Sequence, residues 1–131
     1  MTVLDTHAAL WWMADSAKLS VRAKRAIQAS VVAGDLAMSA ASVLEIATLV
    51  RRGRLELARA LDEWLEDVQS LPELRIEPVT APIAARAGSF EAEVHGDPID
   101  RLIIATALVL DESLVTADER IQSLGWVRTI W

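Results

Sequence analysis

Four carboxylates stand where short apolar segments run into helices. Asp5 follows Thr2–Leu4, Glu45 lies in the first turn after Leu36–Ser39, Asp100 opens an apolar helix, and Asp118 follows Ser113–Val115. If the strands run parallel, all four junctions open on the same sheet edge, where open α/β sheets hold their ligands. Four like charges would then share one cleft, and each contact in low dielectric costs energy or raises a pKa. A hard cation removes that cost, because Mg²⁺ and Mn²⁺ take carboxylate oxygens and keep waters for chemistry. Such a site suits phosphodiester hydrolysis, in which an ion activates a water, orients the phosphate and neutralises the leaving oxygen.

Each acid also has a structural explanation. Asp5 can cap a helix. Ser42-Val43-Leu44-Glu45 and Thr116-Ala117-Asp118-Glu119 both fit a capping box, and Asp97-Pro98-Ile99-Asp100 supplies a cap, an N1 proline and an acid in the dipole-favoured first turn. Other chemistries lack their parts. The chain has no cysteine, no glycine-rich phosphate loop and no G-x-S-x-G elbow. A phosphoacceptor receiver would want a late lysine, and none follows Lys24; a haloacid-type phosphatase would want an acid at His7. His7 and His95 are too few for a histidine cluster, and a lone histidine is usually a packed or solvated residue.

The elements that must position these acids alternate. Strands are expected at Thr2–Leu4, Leu36–Ser39, Arg75–Val79, Ser113–Val115 and Trp126–Ile130. Helices are expected at His7–Ala14, Ser20–Val32, Ala41–Arg52, Leu57–Gln69, Ala81–Glu93, Ile99–Leu110 and Ala117–Leu124, with Gly34 and Gly53 as stops. Short strands separated by helices give an α/β sandwich with a mainly parallel sheet.

The 131 residues suit one domain, and 53% hydrophobic with 24% charged residues is a globular composition. Met1–Asp5 has no basic start, so no signal peptide is expected, and apolar runs such as Leu102–Leu110 fall well short of the roughly 18 residues of a membrane span. A soluble, cytoplasmic protein with no membrane partner is the expectation. The net charge of −6 argues against a sequence-independent nucleic-acid binder, but residues 1–65 carry +1 and residues 66–131 carry −7.

Four stretches resemble the PIN-domain ribonucleases, specifically the VapC-type toxins of toxin–antitoxin pairs. They are Val3-Leu4-Asp5-Thr6-His7 with Leu10-Trp11-Trp12; Ser39-Ala40-Ala41-Ser42-Val43-Leu44-Glu45-Ile46; Gly96-Asp97-Pro98-Ile99-Asp100-Arg101-Leu102-Ile103-Ile104-Ala105; and Val115-Thr116-Ala117-Asp118-Glu119-Arg120-Ile121. They occur in the family's order and span nearly the whole chain. The resemblance implies a single PIN domain over residues 1–131, a three-layer α/β/α sandwich with a five-stranded parallel sheet, an Mg²⁺ or Mn²⁺ cofactor and an RNA substrate. Asp5, Glu45 and Asp100 match the family's core metal-binding and catalytic acids, Asp118 its more variable fourth, and Thr116 a hydroxyl that orients a site water or acid. Asp97 is left as the helix cap. The implied reaction is attack of a metal-activated water on the RNA phosphate, leaving a 5′-phosphate and a 3′-hydroxyl.

The same resemblance implies inhibition by a VapB-type antitoxin whose C-terminal segment docks in an apolar groove, and homodimerisation through another apolar helix face. Leu10, Trp11 and Trp12 are the groove residues expected here, since adjacent tryptophans on an apolar helix cannot both point inward. Arg51, Arg52, Arg54 and Arg101 are candidate RNA-phosphate contacts, against solvated ion pairs as the alternative. Trp64 and Trp126 read as core or interface residues rather than base-stacking platforms. Two rival functions remain: a DNA or structure-specific nuclease using the same acids, and a non-catalytic PIN scaffold that binds a protein partner.

Overall fold

The computed structural model describes residues 1–92, 94 and 96–131. Five strands, β1 (Thr2–Leu4), β2 (Leu36–Ser39), β3 (Leu74–Glu77), β4 (Ser113–Val115) and β5 (Thr129–Ile130), form one sheet in the order β3-β2-β1-β4-β5, and every pairing is parallel. Parallel neighbours need crossover connections, and helices supply them. They are α1 (Thr6–Met13), α2 (Val21–Ala33), α3 (Ala40–Arg51), α4 (Leu61–Gln69), α5 (Ala81–Gly88), α6 (Pro98–Val109) and α7 (Glu119–Gln122).

The period-two alternation of β1 divides the core. Leu4 joins Ala8, Ile27, Met38, Ile46 and Val115 on one face, while Val3 joins Ile103, Ile104, Ala107 and Leu114 on the other. Helices therefore cover both faces, as near-continuous apolar strands such as Val3–Leu4 require. Ile103, Ile104, Leu114 and Leu4 are fully buried, and each such side chain contributes about 1.5–3 kcal/mol. Leu4 lies opposite both Met38 and Val115, so β1 and β4 end level and β2 runs one residue further, to Ser39. The chain leaves each of them toward the same edge.

Several element ends differ from the sequence expectation. The fourth helix starts at Leu61 rather than Leu57: Leu55 and Leu57 instead pack against the core from an irregular segment, and Arg59 pairs with Glu63 at 3.0 Å and Asp67 at 2.8 Å. Helix α5 stops at Gly88 instead of Glu93, with Ser89 as its cap. The third helix begins at Ala40, capped by Ser39, whose Oγ accepts from the Ala41 N–H at 3.0 Å. Ser42 thus lies inside the helix, and the expected capping box with Glu45 does not form. That removes the structural explanation for Glu45.

Candidate active site

Asp5 follows β1 directly and is 9% exposed. Its Oδ1 accepts from the Thr6 N–H at 2.8 Å, and its Oδ2 accepts from the Thr116 hydroxyl at 2.7 Å. The backbone continues the sheet into the site, because the Asp5 N–H donates to Val115 O at 2.9 Å. The Thr116 hydroxyl also accepts from the Asp118 N–H at 3.1 Å, so one fully buried oxygen joins two of the acids. Asp118 caps α7 through Oδ1 to the Arg120 N–H, 2.9 Å, and meets the Arg120 guanidinium with Oδ2 at 3.4 Å. Asp97 caps α6 as expected, its Oδ1 accepting from the Ile99 N–H at 2.9 Å.

Asp5, Glu45, Asp100 and Asp118 line one cleft of about 480 Å³, together with Asp97, His7, Trp11, Ala117 and Arg120. Burial pushes the Asp5 carboxyl above the usual range, and the nearby Asp118 charge adds to this; the hydrogen bonds from Thr116 and Thr6 and the nearness of His7 pull it back only in part. Glu45 is also raised, first by burial and then by the charges of Asp100 and Asp5, against a hydrogen bond from the Thr6 hydroxyl and the pull of His7. Asp118 differs. Burial pushes it up, but its contacts with Arg120 outweigh that and leave it below the usual range.

The donor set is what a hard divalent cation selects: oxygen only, partly buried and mutually repelling. The raised Asp5 and Glu45 carboxyls mark where burial, and then neighbouring carboxylates, make a negative charge costly without a cation. Among the described residues, no three Asp, Glu or His side chains are already drawn together into a ligand cage. The fit is therefore one of chemistry and convergence.

A sequence profile of the PIN domain matches residues 2–127. Over 131 residues the chain is 38% identical to Ribonuclease VapC22 of Mycobacterium tuberculosis, with 98% of this chain and 97% of that protein covered. This chain belongs to the PIN-domain family, in its VapC branch. The PIN fold recurs in the crystal structure of VapBC2 from Rickettsia felis bound to a DNA fragment from their promoter, with a TM-score of 0.70, 16% identity and coverage of 98% of this chain and 96% of that one. It recurs again in FitAcB from Neisseria gonorrhoeae, with a TM-score of 0.67, 22% identity and the same coverages, 98% and 96%. At these identities the likeness is one of fold.

Within this PIN domain the other expected residues sit at different distances from the acids. Arg101 is not among the cleft-lining residues: its guanidinium donates to the backbone carbonyls of Ala87 (3.1 Å), Phe90 (3.3 Å), Glu91 (3.4 Å) and Val94 (3.3 Å). It binds the segment after α5 to the start of α6. Arg51, Arg52 and Arg54 are exposed at the end of α3, outside the cleft. Leu10 and Trp11 line a second, more apolar hollow of about 560 Å³ with Met13, Leu49, Leu57 and Trp64. Trp12 does not line it; one position further round the helix, it lines a separate hollow with Leu19 and Ile27. Trp64 packs partly buried against the core, while Trp126 is 44% exposed beside Phe90. His95 lies outside the described residues.

Three contributors to the PIN cleft were not singled out from sequence. Thr6 and Ser42 join α1 to α3, the helix that carries Glu45, through fully buried hydroxyls 2.9 Å apart. Their signal was faint, since a hydroxyl one residue after a strand-end acid reads as a cap. Arg120 lines the cleft, and only the placement of the short α7 reveals it.

Proposed function

We propose that this chain is a divalent-cation-dependent endoribonuclease toxin of a toxin–antitoxin pair. The observation that carries the reading is the convergence of Asp5, Glu45, Asp100 and Asp118 on one cleft, in a chain 38% identical to a ribonuclease. Asp5, Glu45 and Asp100 would hold Mg²⁺ or Mn²⁺, with Asp118 in support. When bound, such an ion lowers the pKa of water and neutralises charge on the phosphate and its leaving oxygen.

The chain's own residues prepare that site. Thr6 and Thr116 fix the two oxygens of Asp5, and Thr116 ties Asp118 to it through the backbone. Arg120 keeps Asp118 ionised. Water attacks the RNA phosphorus in line, the bond to the 3′ oxygen breaks, and the products are a 5′-phosphate and a 3′-hydroxyl.

Silencing by a VapB-type antitoxin is part of the proposal. The apolar hollow shares His7 and Trp11 with the acid cleft, so a peptide laid in it ends beside the acids. The net charge of −6 favours a basic antitoxin tail there. We further infer one PIN domain over residues 1–131, acting in the cytoplasm as a homodimer joined through an apolar helix face; sedimentation would return the monomer mass if the last point is wrong. No helix among the described residues is long and apolar enough to cross a membrane.

The test is a paired cleavage assay on single-stranded RNA and DNA with Mg²⁺, Mn²⁺ or EDTA. RNA should be cut with either ion and spared in EDTA, and Asp100→Asn should abolish cutting with the far-ultraviolet spectrum unchanged. Full-rate cleavage by Asp100→Asn refutes the site. Cleavage of DNA alone replaces the substrate. No cleavage, together with no heat of Mg²⁺ binding in calorimetry, leaves a non-catalytic scaffold.

A further inference from the structure

One wall of the acid cleft is not accounted for by cation chemistry. The half-buried Trp11 lines it. Its ring is braced by Trp131, with centroids 5.7 Å apart at 51°, and by the exposed His7, 5.9 Å apart at 53°. The Lys18 ammonium lies 5.9 Å from the ring centroid. A large ring held by its neighbours loses little freedom when a ligand arrives. Elsewhere on the rim, Arg120 is the one Lys or Arg among the described residues that line the cleft. Its side chain is 69% exposed and reaches Asp118 only at 3.4 Å, a contact an incoming anion can share.

A flat aromatic surface and a guanidinium lining the same cleft as the carboxylates match one kind of ligand: a planar base carrying an anionic phosphate. Stacking on a side chain requires an open base face, which a duplex hides and a single strand offers. The overall acidity makes a local cation necessary, because the four carboxylates repel phosphate unless something positive stands beside them. We propose that the cleft holds one nucleotide of single-stranded RNA next to the bond to be cut, its base stacked on Trp11 and its phosphate on Arg120. The role of this subsite rests on the nuclease reading; its binding chemistry does not.

The test is fluorescence anisotropy of a fluorescein-labelled decauridylate titrated with the chain in EDTA, where cleavage does not consume the probe. Trp11→Leu should weaken binding roughly tenfold, while Trp11→Phe stays near wild type. Arg120→Gln should weaken binding and reduce the slope of log Kd against log salt by about 0.7, and Arg120→Lys should restore that slope. Because Trp11 packs on Trp131, a second probe leaves the protein untouched: an abasic ribose-phosphate oligomer of equal length should bind wild type as weakly as decauridylate binds Trp11→Leu. The proposal is overturned if wild type does not bind decauridylate, if the abasic oligomer binds as well as decauridylate, or if Arg120→Gln keeps the full salt slope. Failure of the nuclease reading looks different: this binding pattern holds, but nothing is cut when Mg²⁺ is added.

Discussion

Replacing Thr116 by valine removes one buried oxygen and keeps the shape of the side chain. The hydroxyl donates to Asp5 Oδ2 at 2.7 Å and accepts from the Asp118 N–H at 3.1 Å. A hydrogen bond to a charged group contributes about 1.5–3 kcal/mol. The Asp118 N–H is only part-buried, so its lost acceptor adds less than the ~1–3 kcal/mol of a fully buried orphan. The new methyl returns on the order of 0.8 kcal/mol. The net cost is about 2 kcal/mol at neutral pH, which for a chain of this length lowers the thermal midpoint by roughly 8 °C.

The sign with pH is specific. The Thr116 bond holds the Asp5 carboxyl below where burial alone would put it, so its stabilisation is complete where Asp5 is ionised and fades as pH falls through the folded-state pKa of Asp5. Thermal melts of wild type, Thr116→Val and Thr116→Ser, followed by circular dichroism from neutral pH down through the titration of Asp5, read this directly. The valine variant should converge on wild type as the solution is acidified, and the serine variant should track wild type throughout. A cost that does not change with pH would refute the reasoning, as would a valine variant that melts with wild type at neutral pH.

Asp5→Asn removes a charge that burial disfavours, so it should melt at or above wild type at neutral pH while losing RNA cleavage, the advantage disappearing as pH falls and the native carboxyl takes up its proton. Protons and cation compete for Asp5 and Glu45, both shifted upward, so the Mg²⁺ concentration giving half-maximal cleavage should climb as pH falls, whereas a flat requirement would separate these carboxyls from the ion. Arg101→Met leaves four carbonyls without their donor and should cost about 2 kcal/mol in a denaturant melt; Arg101→Lys should recover little, since an ammonium lacks the guanidinium's fork.

The acids and their frame were legible in the sequence because both follow from local rules. Thr2–Leu4, Leu36–Ser39 and Ser113–Val115 are strands with the expected ends, and four acids at strand-to-helix junctions share an edge once those strands run parallel. What was not legible depends on direction. The sequence could not tell that the guanidinium of Arg101 turns to the carbonyls after α5 while the side chain next to it, Asp100, lines the cleft, because adjacent helical positions diverge by about 100°. The same angle separates Trp11 from Trp12. Ala81–Glu93 read as one helix on alanine content, but carbonyls up to Val94 bond to a side chain from outside that segment, which propensity does not encode.

The sheet order also fixes when the cleft can exist during synthesis. Of the five strands the central one comes first along the chain, yet its partner on one side is β4, and the hydrogen bond that completes Asp5 spans 111 residues to Thr116. Chains emerge amino end first, and contacts so distant in sequence form late. A chain cut before β4 still carries Asp5, Glu45 and Asp100 but lacks the Thr116 hydroxyl that fixes Asp5 and the supporting Asp118, and it exposes β1 as a raw edge prone to pairing with other chains.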